Sequence, residues 1–176
     1  MSRIEPIKPE ELPEETRATL SEIEGAFGMV PNLFKTYTHF PPLLEANWNK
    51  VKTLMMQGKL QRKVKETIAV LVSKDNSCNY CVDAHSAALK SIGVSAEEIK
   101  AIKLDLEGSD FTAKEKALIT FARKANKAPL SISDAEFQSV RDSGASDAEI
   151  IEALGVMEIF TAFNKFLDSL RIDIDF

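Results

Sequence analysis

Lys65-Glu66-Thr67-Ile68-Ala69-Val70-Leu71-Val72-Ser73-Lys74 decides how the rest of the sequence is read. Thr67 to Val72 carry no charge, and Val64, Ile68, Leu71 and Val72 recur at helical spacing. The pattern predicts a helix from Leu60 to Lys74 whose middle is apolar around most of its circumference. Such a helix lies inside a fold, covered on several sides. Glu66 stands at the edge of the apolar run.

Downstream, a cap at Asn76 or Ser77 predicts a second helix from Cys78 to Ser91. Beyond it the pairs Ser95/Glu98, Thr112/Glu115, Ser133/Glu136 and Ser146/Glu149 have capping-box spacing, and each opens a periodic apolar pattern. The last of these helices spans roughly Asp147 to Leu170, with Ile150, Leu154, Met157, Phe160 and Leu167 turned inward. The tail Ile172-Asp173-Ile174-Asp175-Phe176 alternates, which suits an extended strap against another subunit. Upstream, Pro6, Pro9 and Pro13 keep residues 1–13 extended. A short helix follows from Glu14 to about Glu24, ended near Gly25 and Gly28, then an apolar turn at Met29-Val30-Pro31. Pro41 and Pro42 suit the first turn of a helix over Leu43 to Gln57, closed by Gly58.

The result is an all-α, single-domain helical bundle: an N-terminal arm and short helix over 1–24, and a helical domain over 25–176. Two related helical halves are visible in it. Gly93-x-Ser95-x-x-Glu98-Ile99 returns as Gly144-x-Ser146-x-x-Glu149-Ile150, and Lys65-Glu66-Thr67-Ile68-Ala69 resembles Lys114-Glu115-Lys116-Ala117-Leu118. Only the first half contains cysteine and histidine close together.

With 44 % apolar and 28 % charged residues, the 176-residue chain has an ordinary globular balance. A net charge of −5 without a basic tract argues against nucleic acid as partner. The N-terminus lacks an apolar signal core and no segment has membrane-spanning length, so the expected compartment is the cytoplasm, with no membrane partner. There a lasting structural disulfide is disfavoured, and a close cysteine pair is more often catalytic or metal-binding.

Ser77-Cys78-Asn79-Tyr80-Cys81-Val82-Asp83-Ala84-His85 holds both cysteines and one of the two histidines. On a helix Cys78, Cys81 and His85 share one side. Cys81 and His85 are i,i+4 neighbours, and thiols near a helix N-terminus are favoured as thiolates. This reads as a redox-active dithiol. Two other readings stay open: cysteines as buried core filler, and a zinc site of Cys78, Cys81, His85 and Glu66. Cys78, nearer the helix end, is expected to be the more accessible sulfur, and Tyr80 to point away from Cys81. His39 reads as a polar surface or loop-packing residue, and Trp48, Met55 and Met56 as core or subunit interface.

Glu66, Cys78, Cys81 and His85, at these spacings, resemble the alkylhydroperoxidase D family within the carboxymuconolactone decarboxylase-like superfamily. Val30-Pro31-Asn32-Leu33-Phe34 looks like its peroxidase-related branch, and Asp134 through Leu170 resembles the second half of such proteins. The resemblance implies an oligomeric all-helical thiol peroxidase, a trimer or a hexamer built from trimers, needing no metal, haem or other cofactor. It implies that Cys81 attacks peroxide, Cys78 closes a Cys78–Cys81 disulfide, His85 passes a proton and Glu66 is its acidic partner. A small or protein dithiol would then restore the thiols. Tyr80 departs from the pattern, since prototype members have a second histidine there, which leaves the reductant open. Lactone decarboxylation and a non-enzymatic redox-responsive oligomer are the alternatives.

Overall fold

The computed structural model describes residues 1–175, and among them every regular element is helical. Helices α1 (Glu14–Phe27), α2 (Asn32–Tyr37), α3 (Pro41–Val51), α4 (Arg62–Asp75), α5 (Asn79–Ser91), α6 (Ala96–Leu104), α7 (Ala113–Lys127), α8 (Asp134–Asp142) and α9 (Asp147–Leu170) follow in order. Helix α4 lies at the centre, packed against α5, α6, α7 and α9. Every residue from Val64 to Ser73 is buried, as the uncharged run requires. Lys65 and Glu66 lie within that buried run, so each needs a partner. The Lys65 ammonium meets the Gln57 carbonyl and sits 2.6 Å from Glu152.

Three of the expected capping boxes are complete, opening α7, α8 and α9. At α6 only half of the box forms. Ser95 Oγ accepts from the Glu98 amide, but the Glu98 carboxylate turns to Lys63 at 2.6 Å. Gly93 and Gly144, at φ +91° and +92°, make the same left-handed turn before α6 and α9. The element order α4–α5–α6 thus parallels α7–α8–α9.

Some boundaries differ from the sequence reading. Helix α1 runs through Gly25 and stops only at Gly28, whose φ of +78° is a left-handed cap. The helix expected over Leu43–Gln57 is α-helical to Val51 and then widens into a π turn over Lys52–Met56. There Leu54 lies over Gly155 of α9, where an added Cβ would come within 2.7 Å of it. Neither Asn76 nor Ser77 caps α5. Asn76 closes α4, Ser77 turns left-handed at φ +63°, and Cys78 itself occupies the N-cap position.

The tail packs on its own chain. Asp173 receives the N-terminal ammonium at 2.9 Å, and Asp175 accepts from the Asn32 amide at 2.7 Å. The last residue of the alternating tail, Phe176, lies outside the described residues. His39 is an exposed surface residue whose Nε2 meets the Glu5 carbonyl at 2.8 Å. Trp48 is in the core and donates to Glu22 at 2.9 Å. Met55 is buried beside it in the core, whereas Met56 is half-exposed. Among the described residues no helix is long and apolar enough to cross a membrane.

Candidate active site

The turn between α4 and α5 places the two sulfurs. The Cys78 amide donates to the Ser73 carbonyl at 2.9 Å, folding the start of α5 back onto the end of α4. Cys81 follows at the third helical position, and His85 stands one turn further on. Both thiols are free, and both are buried, with Cys78 0 % and Cys81 3 % exposed. The expectation that Cys78 is the accessible sulfur is therefore corrected. The α4–α5 turn covers it, and Cys81 is the one that opens on a cavity.

That cavity has a volume of about 440 Å³. Cys81, His85, Glu66 and Arg62 line it, and the rest of its wall is mostly apolar. Tyr80, expected to face away, lines it as well. The Tyr80 hydroxyl donates to Asp175 at 2.8 Å and accepts from the Leu33 amide at 3.4 Å, so it ties α5 to the tail and to α2. Burial and the Asp175 carboxylate push its pKa far up, and it stays a neutral phenol.

His85 Nδ1 lies 2.6 Å from Glu66 Oε2. A carboxylate can only accept, so Nδ1 carries the proton and Nε2 is left as the ring's basic nitrogen. Glu66 is 4 % exposed, and its other oxygen accepts from Arg62 Nε at 3.3 Å. Phe160 meets the imidazole edge-on at 4.2 Å between centroids. Arg62 and Phe160 thus hold the acid–imidazole pair from its two ends.

The two thiols have opposite tendencies. Donation from the Cys81 thiol, and from the Cys81 amide at the start of α5, lowers the Cys78 pKa against burial and against nearby Asp168. Cys81 is pushed well up, first by that same hydrogen bond to Cys78, then by burial and by the charge on Cys78. Of the pair, Cys78 is the more acidic thiol and Cys81 the less acidic one.

Behind Cys81 lies a polar cluster that the sequence reading missed. Asn164 of α9, 1 % exposed, donates to Ser73 Oγ at 3.0 Å and accepts from Asn76 at 2.9 Å. Asn76 and Asn126 of α7 exchange hydrogen bonds, and Thr161 donates to Asn126 at 2.8 Å. One signal was available: Asn164 sits four residues after Phe160 and three before Leu167, a polar residue on an apolar stripe. Among the described residues no three His, Cys, Asp or Glu side chains converge to hold a metal ion.

Comparison with known proteins agrees with this fold. Residues 41–124 match the carboxymuconolactone decarboxylase family. The structure superposes on a peroxidase-related protein with an alkylhydroperoxidase core from Ralstonia eutropha JMP134, with a TM-score of 0.89 and 26 % identity over 99 % of this chain and 92 % of that one. The matched residues and the fold are similar to those of the alkylhydroperoxidase D and carboxymuconolactone decarboxylase-like superfamily. A peroxidase-related member from Silicibacter sp. TM1040 matches with a TM-score of 0.89 at 25 % identity, again over 99 % of this chain and 92 % of that one. An alkyl hydroperoxide reductase of Mycobacterium tuberculosis is 28 % identical over 93 residues, 53 % of this chain. The match spans only 27 % of that relative's length. Relatives within the superfamily thus carry peroxidase-related names.

Proposed function

We propose that the protein is a thiol peroxidase of antioxidant defence that reduces alkyl hydroperoxides or hydrogen peroxide. One observation carries this reading: Cys81 opens on the same apolar cavity as a His85–Glu66 pair 2.6 Å apart, with a second thiol directly behind it. His85 Nε2 takes the Cys81 proton, and the sulfur attacks the peroxide. An S–O bond forms, the O–O bond breaks, and the imidazolium, stabilised by Glu66, returns the proton to the leaving alkoxide. The products are Cys81 sulfenic acid and an alcohol, or water from hydrogen peroxide.

Cys78, the more acidic of the two, then attacks the sulfenic sulfur as its thiolate. The Cys78–Cys81 disulfide forms and hydroxide leaves, becoming water with a proton from solvent. A dithiol reductant reaches the disulfide through the cavity at Cys81 and expels Cys78. The lower pKa of Cys78 makes it the better leaving group.

Stopped-flow peroxide consumption tests the assignment. Cys81→Ser should abolish turnover. Cys78→Ser should keep one fast oxidation per subunit and lose recycling, leaving a sulfenic acid that a dimedone label traps. Turnover that survives Cys81→Ser ends this reading.

A further inference from the structure

The polar groups along the cavity have an order set by the two helices that carry them. Helices α4 and α5 are joined by a short turn and pack side by side, so they run antiparallel. His85 faces Glu66 across them at 2.6 Å. From that level Cys81 lies one helical turn towards the α4–α5 connection, and Arg62 lies one turn the other way. The sulfur and the guanidinium thus stand two helical turns apart, about 11 Å. The wall beside this row is apolar, with Ala84 and Ala88 of α5, Phe160 of α9, Val51 and Met55. At about 440 Å³ the cavity falls in the size range of sites that hold whole organic molecules, about 300–1,000 Å³, and hydrogen peroxide would leave most of it unfilled.

Arg62 has more donors than the protein uses. Through Nε it gives one hydrogen bond, to Glu66 at 3.3 Å, and among the described residues its two NH₂ groups meet no other acceptor. Its side chain is 53 % exposed, which puts the guanidinium at the solvent end of the row. Among the described lining residues it is the only lysine or arginine. A single guanidinium with unclaimed NH₂ groups matches one carboxylate, which it can hold through two parallel hydrogen bonds.

We propose that Arg62 binds a carboxylate on the substrate, and that the site takes organic hydroperoxides in which an apolar chain separates the hydroperoxide from a carboxylate by about 11 Å. The hydroperoxide end meets Cys81 and His85, the chain lies on the apolar wall, and the carboxylate stays at the wet end on Arg62. The bond changes are those already given: S–O forms, O–O breaks, and the alcohol product keeps its carboxylate. The inference rests on the peroxidase reading, which supplies the reaction, and it narrows the substrate to an amphipathic acid.

The probes are ω-hydroperoxyoctanoate, whose extended chain has about the required length, and octyl hydroperoxide, which lacks the carboxylate. Pre-reduced protein is mixed with each in the absence of reductant, and rapid quenching follows the loss of free thiol. At sub-saturating peroxide the wild type should react about five- to tenfold faster with the acid, the size expected of a charge-assisted contact that is half open to water. Added salt should shrink that preference. Arg62→Gln should bring the ratio of the two rates close to one, and Arg62→Lys should keep part of it. Anything Arg62 does through Glu66 changes both rates alike, so the ratio isolates its contact with the substrate. Equal rates in the wild type, or a ratio that Arg62→Gln leaves unchanged, overturns the proposal. So does an Arg62 effect confined to the recycling step, which would assign the guanidinium to a carboxylate of the reductant.

Calorimetric binding of octanoate and of octanol to the reduced protein separates this inference from the reading beneath it. If no hydroperoxide oxidises the wild type, but octanoate binds more tightly than octanol and Arg62→Gln removes the difference, the peroxidase reading fails and the carboxylate site stands. If both hydroperoxides react equally fast and octanoate binds no better than octanol, the peroxidase reading stands and the carboxylate site fails.

Discussion

Glu66 is a carboxylate in the middle of an apolar helix, and its surroundings explain why it is tolerated there. Its two oxygens are satisfied by His85 and Arg62, and the cavity runs past all three side chains. In the proposed mechanism the pairing holds His85 in one tautomer and stabilises the imidazolium formed during proton transfer. Glu66→Gln removes the charge while keeping the shape. Peroxide turnover should fall about 10- to 100-fold, since general acid–base contributions of this kind are of that size or larger. Steady-state kinetics with reductant in excess checks it: a Glu66→Gln enzyme as fast as wild type would show that His85 needs no acidic partner. Of the four candidate site residues Glu66, Cys78, Cys81 and His85, the last three were singled out by their spacing. Glu66 was legible only because a family pattern pointed to it, because helical periodicity by itself gives a carboxylate no role.

Among elements, α9 shows how local signals and long-range packing divide the work. Ser146 accepts from the Glu149 amide at 3.3 Å, and the Glu149 carboxylate returns to the Ser146 amide at 2.8 Å while also receiving Lys114 of α7 at 2.7 Å. These partners, Lys114 first, lower the Glu149 pKa to about 2. A depressed carboxylate stabilises the fold fully above its unfolded pKa, and that stabilisation is lost as pH falls through about 4.5 towards 2. Glu149→Gln should cost about 1 kcal/mol at pH 7 and flatten the acid limb of the stability curve in that window. Urea unfolding at pH 7 and at stepped pH values below 5 measures both. An acid limb identical to wild type would assign the acid loss to other carboxylates. The start of α9 was readable from four consecutive residues. The start of α5 was not, because Asn76 is drawn into a cluster with Asn126 and Asn164 and so cannot cap the next helix.

For the whole molecule, the two helical halves meet along α4, α7 and α9. Besides apolar packing, Asp75 at the end of α4 takes a bidentate hydrogen-bonded pair from Arg123 of α7, at 2.7 and 2.8 Å. The carboxylate raises the Arg123 pKa against partial burial. Asp75→Asn leaves the guanidinium without its counter-charge and should destabilise the protein by about 1–3 kcal/mol, read as a lower urea midpoint with an unchanged m-value. Ile68→Ala, in the centre of α4, should cost more, about 2–5 kcal/mol, because it removes fully buried methyl groups and leaves a cavity. An Asp75→Asn effect larger than that of Ile68→Ala would mean that charge pairing dominates the contact between the halves.

By itself the sequence determined that the chain is helical, where most helices begin, which helix is central, and that Cys81 and His85 share a helix face, one that Cys78, at the N-cap, does not join. Those properties depend on residues within a turn or two of one another, so spacing encodes them. Only the tertiary structure decided which sulfur opens on the cavity, which one is the more acidic, and that Ser73, Asn76, Asn126 and Asn164 close in behind them. A thiol's acidity is set by burial and by donors brought from other helices, and Asn164 lies 91 residues from Ser73 along the chain. No local pattern carries that information.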